Sequence, residues 1–412
     1  MNPVKKVLFI SYDGLTDPLG QSQIIPYLQG LSKHGYKIFL LSCEKKEVFL
    51  QNKPTIEKLT APFNITWFPI SYTKNPPVIS TLLDIFKLRR AAKKIYKEHT
   101  IDMVHTRPGV PALVGLWMKE KFGVKFLNDI REFYADSRVE GNMWNLKNPL
   151  FKIVYNFFKK KEAAAVAASD GIVCLTYAAE KIIKTWKEYK QTVPLQVIPC
   201  SVDLQLFNPD KINETEKADL KKELGIKEND FVVSYLGSIG GWYLTNEMMQ
   251  FCNVLSSKIP AAKFLFISPH RHNEIIAAAE KQQLHSNKII IQKASRQQVP
   301  LLLSLSHCSV FFIKPCYSKQ SSSPTKHGEI MAMGIPLITN SGVGDVETIV
   351  EKYHSGIIIH QLTEGEYIAA AQKIAAGINY NTAAIRQGAK EFYSLELAIE
   401  KYNQIYSSIL AH

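Results

Sequence analysis

The residues best suited to chemistry lie between Ser321 and Val350, in the segment SSSPTKHGEIMAMGIPLITNSGVGDVETIV. The pattern predicts a loop of small residues, a short helix with Glu329 in its first turn, a strand and a second glycine-rich loop. A helix N-terminus offers unpaired N–H groups and a positive dipole end, which suit a phosphate. Lys326 adds a point charge for the same group. A carboxylate such as Glu329 can accept both hydroxyls of a ribose.

These residue types together indicate a site for a nucleotide diphosphate. The alternative is an ordinary capped helix in which Glu329 is only a favourable partner of the helix dipole. The segment by itself favours neither interpretation, and the organisation of the remaining chain decides between them.

Short apolar runs alternate with longer helical patterns along the whole chain. This alternation predicts an α/β protein with doubly wound parallel sheets, and continuous apolar runs fit strands that are buried on both sides. The runs interpreted as strands are Val7–Ile10, Lys37–Ser42, Ile65–Ile70, Met103–His105, Lys125–Leu127, Gly171–Leu175, Gln196–Pro199, Phe231–Leu236, Lys263–Ile267, Lys288–Ile291, Val310–Ile313, Pro336–Thr339 and Gly356–Ile359.

A chain of 412 residues is too long for one hydrophobic core, so we expect two domains. We place them at 1–205 and 206–389, close to a turn at Asn208-Pro209. An amphipathic helix is predicted over Leu395–Leu410. The pattern allows either domain to receive this helix, and we expect the segment 390–412 to cross back to the first. Ligands of open α/β sheets bind at the carboxyl ends of the strands, so the expected site is a cleft that both domains face.

The composition is that of a globular protein, with 46% apolar residues and no apolar run near the roughly 20 residues of a membrane-spanning helix. The first residues lack the pattern of a signal peptide. The six cysteines are scattered and form no C-x-x-C pair, so we expect reduced thiols and no zinc site. The expected location is the cytoplasm, with peripheral attachment to the inner face of the membrane as a further expectation.

The positive charge is confined to the first half of the chain. Residues 1–200 contain 30 Lys and Arg against 17 Asp and Glu, a net charge of +13, whereas residues 201–412 contain 20 of each. Such asymmetry points to an anionic partner of one half. The basic segments Leu82–Lys97 and Pro149–Lys161 suggest contact with anionic lipid headgroups. The alternative is a core-facing aromatic stripe with solvated lysines. No nucleic-acid motif is present, so nucleic acid is not expected as a partner.

Four motifs occur in a characteristic order: VLFISYDGLTDPLGQSQ, VIPCSVDLQLF, LGSIGGW and HGEIMAMGIPLIT. Each is weak alone, but in this order the chain resembles the GT-B glycosyltransferases over nearly its whole length, in particular the retaining family 4. The resemblance implies two Rossmann-like domains, the first for an acceptor and the second for a nucleotide-sugar donor. It also implies transfer with retention of configuration and no metal ion or other cofactor. The absence of a D-x-D sequence agrees with the last point.

The resemblance also implies roles for particular residues. Glu329 would bind the ribose, and the glycine of the first strand–helix loop would approach the donor phosphate. The chain departs from the family at Ser321, where the first glutamate of the E-x7-E motif is expected, and at Ser238, where an arginine is usual. We infer that Lys326 supplies the missing charge. The residues assigned to the donor are Gly20, Gly237, Ser238, Ser322, Ser323, Pro324, Thr325, Lys326 and Glu329.

Three residues of the first half are candidates for the reacting centre. Asp129 stands where many family members carry a histidine, so it can orient or deprotonate the acceptor; alternatively, it forms a structural ion pair with Arg131. Arg107 follows a strand and is a candidate for binding an anionic group of donor or acceptor. His105, at the end of the same strand, is a weaker candidate, because such a histidine is often structural.

The expected function is therefore transfer of a sugar from a nucleotide-diphosphate donor to a glycan or lipid-linked acceptor. The expected setting is surface-polysaccharide or cell-wall assembly. Two alternatives remain: a nucleotide-sugar epimerase on the same fold, which would process the donor without an acceptor, and a catalytically silent nucleotide-binding subunit, which the two departures permit.

Overall fold

The computed structural model describes residues 4–377 and 379–411. The chain divides into two compact units, Met1–Pro199 with Leu395–His412, and Cys200–Ser394. These limits differ by a few residues from the predicted 205 and 389. The reason is that Val202 donates its N–H to the carbonyl of Tyr393 at 2.8 Å and is buried in the core of the second unit. Residues 200–205 therefore fold with the second unit.

The first unit is built on a seven-stranded sheet in which all neighbouring strands are parallel. Its strand order is β3-β2-β1-β4-β5-β6-β7. The strands are β1 (Lys6–Ser11), β2 (Lys37–Glu44), β3 (Ile65–Ser71), β4 (Met103–Thr106), β5 (Lys125–Ile130), β6 (Gly171–Cys174) and β7 (Leu195–Val197).

Helices cover both faces of this sheet. They are α1 (Pro18–Gln23), α2 (Ile25–Lys33), α3 (Lys46–Thr60), α4 (Ile79–His99), α5 (Val110–Phe122), α6 (Tyr134–Glu140), α7 (Pro149–Ala168), α8 (Tyr177–Thr185) and α17 (Leu395–Leu410). Tyr402 and Tyr406 of α17, the last helix, lie with residues of α2 in one apolar core, whereas α4, α5 and α7 enclose a second core on the other face.

Helix α17 begins and ends at the predicted residues and lies against α2. The contact requires Gly30, because a Cβ at this position would come within 2.3 Å of the Ile399 side chain. Tyr402, Tyr406 and Ile409 of α17 are fully buried. The apolar stripe read from the sequence is therefore the side that packs on the first sheet, and it brings two tyrosines to that sheet.

The second unit contains a six-stranded parallel sheet with the order β10-β9-β8-β11-β12-β13. Its strands are β8 (Phe231–Leu236), β9 (Ala262–Ile267), β10 (Ile289–Gln292), β11 (Cys308–Phe311), β12 (Leu337–Asn340) and β13 (Gly356–Ile359). Its helices are α9 (Glu214–Glu223), α10 (Thr245–Lys258), α11 (His272–Lys281), α12 (Val299–Leu303), α13 (Thr325–Ala332), α14 (Val346–Lys352), α15 (Glu364–Ala375) and α16 (Thr382–Tyr393).

Every apolar run interpreted as a strand is a strand, with ends that differ by a few residues. The predicted fold class, two Rossmann-like domains with doubly wound parallel sheets, is confirmed. Among residues 4–377 and 379–411, no helix combines the length and the apolar character that a transmembrane span requires.

Candidate functional site

Lys326 is the second residue of α13, and its ammonium group is buried among aromatic rings. Its Nζ lies 3.7 Å from the centroid of the Tyr243 ring and 4.3 Å from that of Tyr235. It also donates a hydrogen bond to Tyr235 Oη at 3.2 Å. In the described part of the chain no carboxylate oxygen comes within 4.0 Å of Nζ. The described residues therefore surround this cation with π faces and provide no anionic partner for its charge.

The burial of Lys326 has an electrostatic consequence. Removal from water disfavours the ammonium form and lowers the pKa of Lys326 well below its usual value, while the Glu329 carboxylate opposes this shift. Contact with aromatic faces recovers only part of the lost hydration. An anion placed beside Nζ would restore the charged form, which makes this position a candidate phosphate site.

The predicted glycine loop lies directly beside Lys326. Gly237 follows the last residue of β8 and has φ of +117°, a conformation that side chains rarely adopt. A Cβ at Gly237 would come within 2.8 Å of Lys326 Nζ. The next carbonyl, that of Ser238, accepts a hydrogen bond from Tyr235 Oη. Gly237, Ser238 and Lys326 are thus brought together beyond the carboxyl end of β8.

Two residues just before α13 make hydrogen bonds within the second unit. Ser323 Oγ accepts a hydrogen bond from the Cys200 N–H at 3.2 Å. Ser321, at the position of the missing glutamate, is fully buried, and its Oγ donates to the Ser318 carbonyl at 2.7 Å. The Ser321 side chain therefore belongs to the interior of the fold. The segment Ser322–Thr325 directly precedes Lys326, and contact of its backbone with the donor stays a prediction.

The predicted position of Glu329 in the first helical turn is wrong. Helix α13 begins at Thr325, so Glu329 is its fifth residue and lies in the second turn. Its Oε1 accepts a hydrogen bond from Arg296 Nη1 at 2.7 Å, and the Arg296 guanidinium stacks over Phe207 at 5.2 Å. Arg296 was missed because nothing in its local sequence, KASRQQ, marks it as a partner of α13. One oxygen of Glu329 is therefore already occupied.

Asp129 is the centre of a buried polar cluster in the first unit. Its Oδ2 accepts a hydrogen bond from Tyr402 Oη at 2.8 Å and lies 3.4 Å from Arg131 Nη1. His105 Nε2 lies 3.4 Å from the same oxygen, and His105 Nδ1 lies 2.7 Å from Tyr406 Oη. The ion pair with Arg131 that the sequence suggested is therefore present, and the two tyrosines of α17 complete the cluster.

The electrostatics of this cluster give the protonation states. Burial by itself would raise the pKa of Asp129, but Arg131, His105 and Arg107 outweigh burial and hold this pKa well below its usual range. Burial lowers the pKa of His105, against the opposing effect of Asp129. At neutral pH Asp129 is therefore a carboxylate and His105 is neutral. Asp129 Oδ1 has no hydrogen-bond partner among the described residues.

Arg107 borders the same cluster. Its Nη1 lies 3.5 Å from the Gln23 carbonyl, and its Nε has no hydrogen-bond partner within the described ranges. His105, Arg107 and Asp129 line a cavity of about 10 Å³, which has room for a single water molecule. The three predicted residues of the reacting centre are thus neighbours, but they enclose a space that is too small for a sugar.

The predicted place of Gly20 in a loop is wrong, because Gly20 lies within α1. A Cβ there would come within 2.4 Å of the Gly14 carbonyl oxygen and 2.6 Å of Leu15 Cα. The loop that contains Gly14 and Leu15 is held by Glu44, whose carboxylate accepts hydrogen bonds from Leu15 N at 2.8 Å and Thr16 Oγ1 at 2.6 Å. The chain itself therefore already requires a glycine at this position.

We expect Gly20→Ala to destabilise the protein by about 1–3 kcal/mol, because the added methyl group meets backbone atoms that cannot rotate away. The matched control is Gly365→Ala, since a Cβ at Gly365 in α15 meets nothing within 4 Å. This control should be neutral or stabilising by up to about 1 kcal/mol. Urea unfolding of both variants measures the difference. Equal midpoints would show that the backbone at Gly14 shifts to accommodate the added methyl group, contrary to this prediction.

Within the described ranges, no group of three or more His, Cys, Asp or Glu side chains is placed to hold a metal ion. Apart from Gly20, the predicted donor residues lie in the second unit, and the predicted residues of the reacting centre lie in the first.

Residues 216–391, most of the second unit, match the family model described as glycosyl transferases group 1. This match confirms the resemblance to glycosyltransferases that was read from the sequence, whereas assignment to the retaining family 4 stays a prediction. The match supports glycosyl transfer as the function. No curated protein sequence matches the chain significantly.

Solved structures similar to this chain share its GT-B fold. A glycosyltransferase from Rickettsia africae is 16% identical, with 99% of both chains covered and a TM-score of 0.73. A sucrose-phosphate synthase from Thermosynechococcus elongatus is 14% identical, with 99% of both chains covered and a TM-score of 0.72. Alr3699/HepE from Anabaena, in complex with UDP and glucose, is 13% identical, with 98% of this chain and 100% of that chain covered and a TM-score of 0.69.

Proposed function

We propose that this protein transfers a sugar from a nucleotide-diphosphate donor to a glycan or lipid-linked acceptor, with retention of configuration and without a metal ion. The proposed setting is the assembly of a surface polysaccharide or cell wall. The observation that carries the proposal is the buried ammonium group of Lys326, which has no anionic partner within the described residues and lies against the glycine loop at Gly237.

In this proposal the second unit binds the donor. The backbone of Ser322–Thr325, the start of α13 and the loop at Gly237 surround Lys326 Nζ. A diphosphate beside Nζ would gain a charge-assisted hydrogen bond and the field of the helix N-terminus. Glu329 would receive the ribose hydroxyls with the oxygen that Arg296 does not occupy.

The chemical step follows from the same groups. As the bond between the sugar and the diphosphate breaks, negative charge grows on the departing phosphate, and Lys326 with the start of α13 stabilises it in place of a metal. An acceptor hydroxyl attacks the anomeric carbon from the face that the phosphate leaves. The hydroxyl proton passes to a phosphate oxygen, so the step requires no protein nucleophile. Arg107 is 5% exposed and lines the small cavity beside Asp129, so in this proposal it contributes positive charge behind the acceptor site without touching the sugar.

Asp129 has a positioning role in this proposal. Its carboxylate is 1% exposed and joins Arg131 and Tyr402. It therefore orders the polar residues at the end of β5, and the acceptor would contact groups that this cluster supports. Asp129 is therefore proposed as a structural residue and not as a general base.

The similar Anabaena structure contains UDP and glucose, so a uridine nucleotide is the first donor to test here. Thermal unfolding should be measured with UDP, GDP, ADP, CMP and dTDP, with and without EDTA. A ligand at about a hundred times its Kd adds about 2.7 kcal/mol. We expect a shift with one nucleotide that EDTA does not change.

The Glu329→Ala variant should lose this shift because the ribose loses its acceptor. Glu351→Ala is the matched control, since Glu351 is an exposed glutamate near the end of α14. The proposed donor site is wrong if no nucleotide shifts the midpoint, or if both variants behave as the wild type. A shift without transfer to any acceptor would favour the silent nucleotide-binding subunit, and conversion of the donor sugar without an acceptor would favour the epimerase.

A further inference from the structure

Helices α4 and α7 lie on the same face of the first sheet, because both pack against α5. Each ends a few residues before the next strand begins: α4 ends at His99 before β4, and α7 ends at Ala168 before β6. The strands are parallel, so both helices must begin near the opposite edge, where the strands end. The first turns of α4 and α7 therefore lie at the same edge of the same layer.

The first half of each helix carries large apolar side chains that face solvent. On α4, Leu82 is 60% and Phe86 65% exposed, and on α7, Ile153 is 66% exposed. Ile79, Leu83, Leu150 and Phe157 are also exposed. Within each helix these positions are three or four residues apart and so form one stripe. The aromatic stripe of α7 is therefore divided: Phe158 is buried in the core, whereas Phe157 faces outward.

Basic residues continue the same stripes toward the helix C-termini. Arg90, Lys93 and Lys97 follow Phe86 on α4, and Lys160 follows Phe157 on α7; all four are exposed. Helix α4 contains six Lys and Arg against two Asp and Glu, and α7 contains four against one. One of the α4 acids, Asp84, is buried and pairs with Lys87 at 3.1 Å, so the outward positive charge of α4 comes from its other five Lys and Arg residues.

We propose that this apolar–basic face, Ile79–Lys97 of α4 with Leu150–Lys160 of α7, docks on the surface of an anionic lipid bilayer. The apolar side chains in the first half of each helix would enter the headgroup region, while the basic side chains along the same helices meet the lipid phosphates. The charge argues against a second copy of this chain as the occupant, because a symmetric contact would bring two basic faces together.

In one respect this docking rests on the proposed function: a first unit held at a lipid surface would take a lipid-linked acceptor. Lipid docking does not depend on donor binding, because the residues of the face all belong to the first unit and Lys326, Glu329 and the loop at Gly237 to the second. Lipid binding and nucleotide binding can therefore fail separately.

The test is co-sedimentation of the full chain with vesicles of phosphatidylcholine containing about one-third phosphatidylglycerol, compared with pure phosphatidylcholine. We expect binding to the anionic vesicles at low salt and much weaker binding at roughly 0.5 M NaCl. Leu82→Ser/Phe86→Ser/Ile153→Ser should weaken binding roughly 10-fold or more, because the inserting groups are lost. Arg90→Glu/Lys93→Glu should also weaken it roughly 10-fold or more, through charge.

Matched controls distinguish vesicle binding through this face from non-specific vesicle binding. Leu50→Ser/Ile276→Ser removes two apolar side chains that are exposed elsewhere, and Lys187→Glu/Lys190→Glu reverses two exposed charges after α8. Both controls should bind vesicles as the wild type does. Equal loss in the controls, equal binding to neutral vesicles, or no vesicle binding would overturn the proposal. Self-association of the protein without lipid, measured by light scattering and abolished in the α4 and α7 variants, would also overturn it. The nucleotide-induced thermal shift should be unchanged in every variant.

Discussion

Replacing Lys326 with methionine is expected to weaken nucleotide diphosphate binding by about 10- to 100-fold, the loss of one charge-assisted hydrogen bond. The same change should leave the unliganded protein as stable as the wild type or more stable. Methionine has a similar shape and is apolar, and the ammonium group it replaces is buried without an ion-pair partner in the described part of the chain. Calorimetric titration with the nucleotide and urea unfolding measure the two effects.

The two effects of opposite sign distinguish a ligand site from a structural lysine. If Lys326 only supported the loop at Gly237, Lys326→Met would lower stability and binding together. Lys258→Met is the control, because Lys258 is exposed at the end of α10 and should change neither property. Unchanged nucleotide affinity in Lys326→Met would remove this residue from the proposed site.

The lowered pKa of Lys326 also predicts a pH dependence. Burial disfavours the charged form, so between the folded pKa and about 10.4, the usual value, the unfolded chain binds more protons than the folded one. Stability from this group therefore rises with pH across that window, whereas nucleotide affinity falls as Lys326 loses its proton. Both slopes should be absent in Lys326→Met. Nucleotide titrations and unfolding curves at several pH values would show this, and identical slopes in the two proteins would contradict the assignment.

Asp129→Asn is expected to destabilise the first unit by about 3–5 kcal/mol, the cost of leaving a buried charge without its partner. Arg131 would keep its charge beside a neutral amide, and Arg107 would lose the same counter-charge. The effect should be largest above the usual aspartate pKa. Because the folded pKa is lowered, the contribution of Asp129 is present at neutral pH and is lost as the pH falls through that folded value.

A double variant tests the origin of this loss. Asp129→Asn/Arg131→Met removes both charges and should be less destabilised than the sum of the single changes. Asp210→Asn is the matched control: Asp210 pairs with Arg386 at 3.1 Å but its side chain is 72% exposed, so the change should cost at most about 1 kcal/mol. Loss of transfer activity with unchanged stability in Asp129→Asn would instead assign Asp129 to the chemical step.

Several features of this protein could be predicted from its sequence because they depend on neighbouring residues. Continuous apolar runs such as Phe231–Leu236 mark strands that are buried on both faces, and the stripe over Leu395–Leu410 has the period of a helix. The order of the four motifs indicated the GT-B fold. The same order predicted that Gly237 and Lys326 lie close together, and a Cβ at Gly237 would come within 2.8 Å of Lys326 Nζ.

Other features were decided by tertiary contacts between residues far apart in the chain. Arg296 reaches Glu329 from another loop, and Tyr402 and Tyr406 reach the Asp129–His105 cluster only because α17 returns to the first sheet. Their local sequences contain no sign of these partners. The chain's own loop at Gly14 is what requires Gly20.

The sequence by itself determined the strand and helix pattern, the family resemblance and the excess of positive charge in the first half, since each is a property of residue types and their spacing. Only the tertiary structure decided which of those charges are buried. Lys326 and Asp129 are both charged residues in the sequence, but one is enclosed by aromatic rings and the other by Arg131, His105 and Tyr402. Burial depends on what the fold packs around a side chain, and it turns an ordinary charge into one that requires a partner.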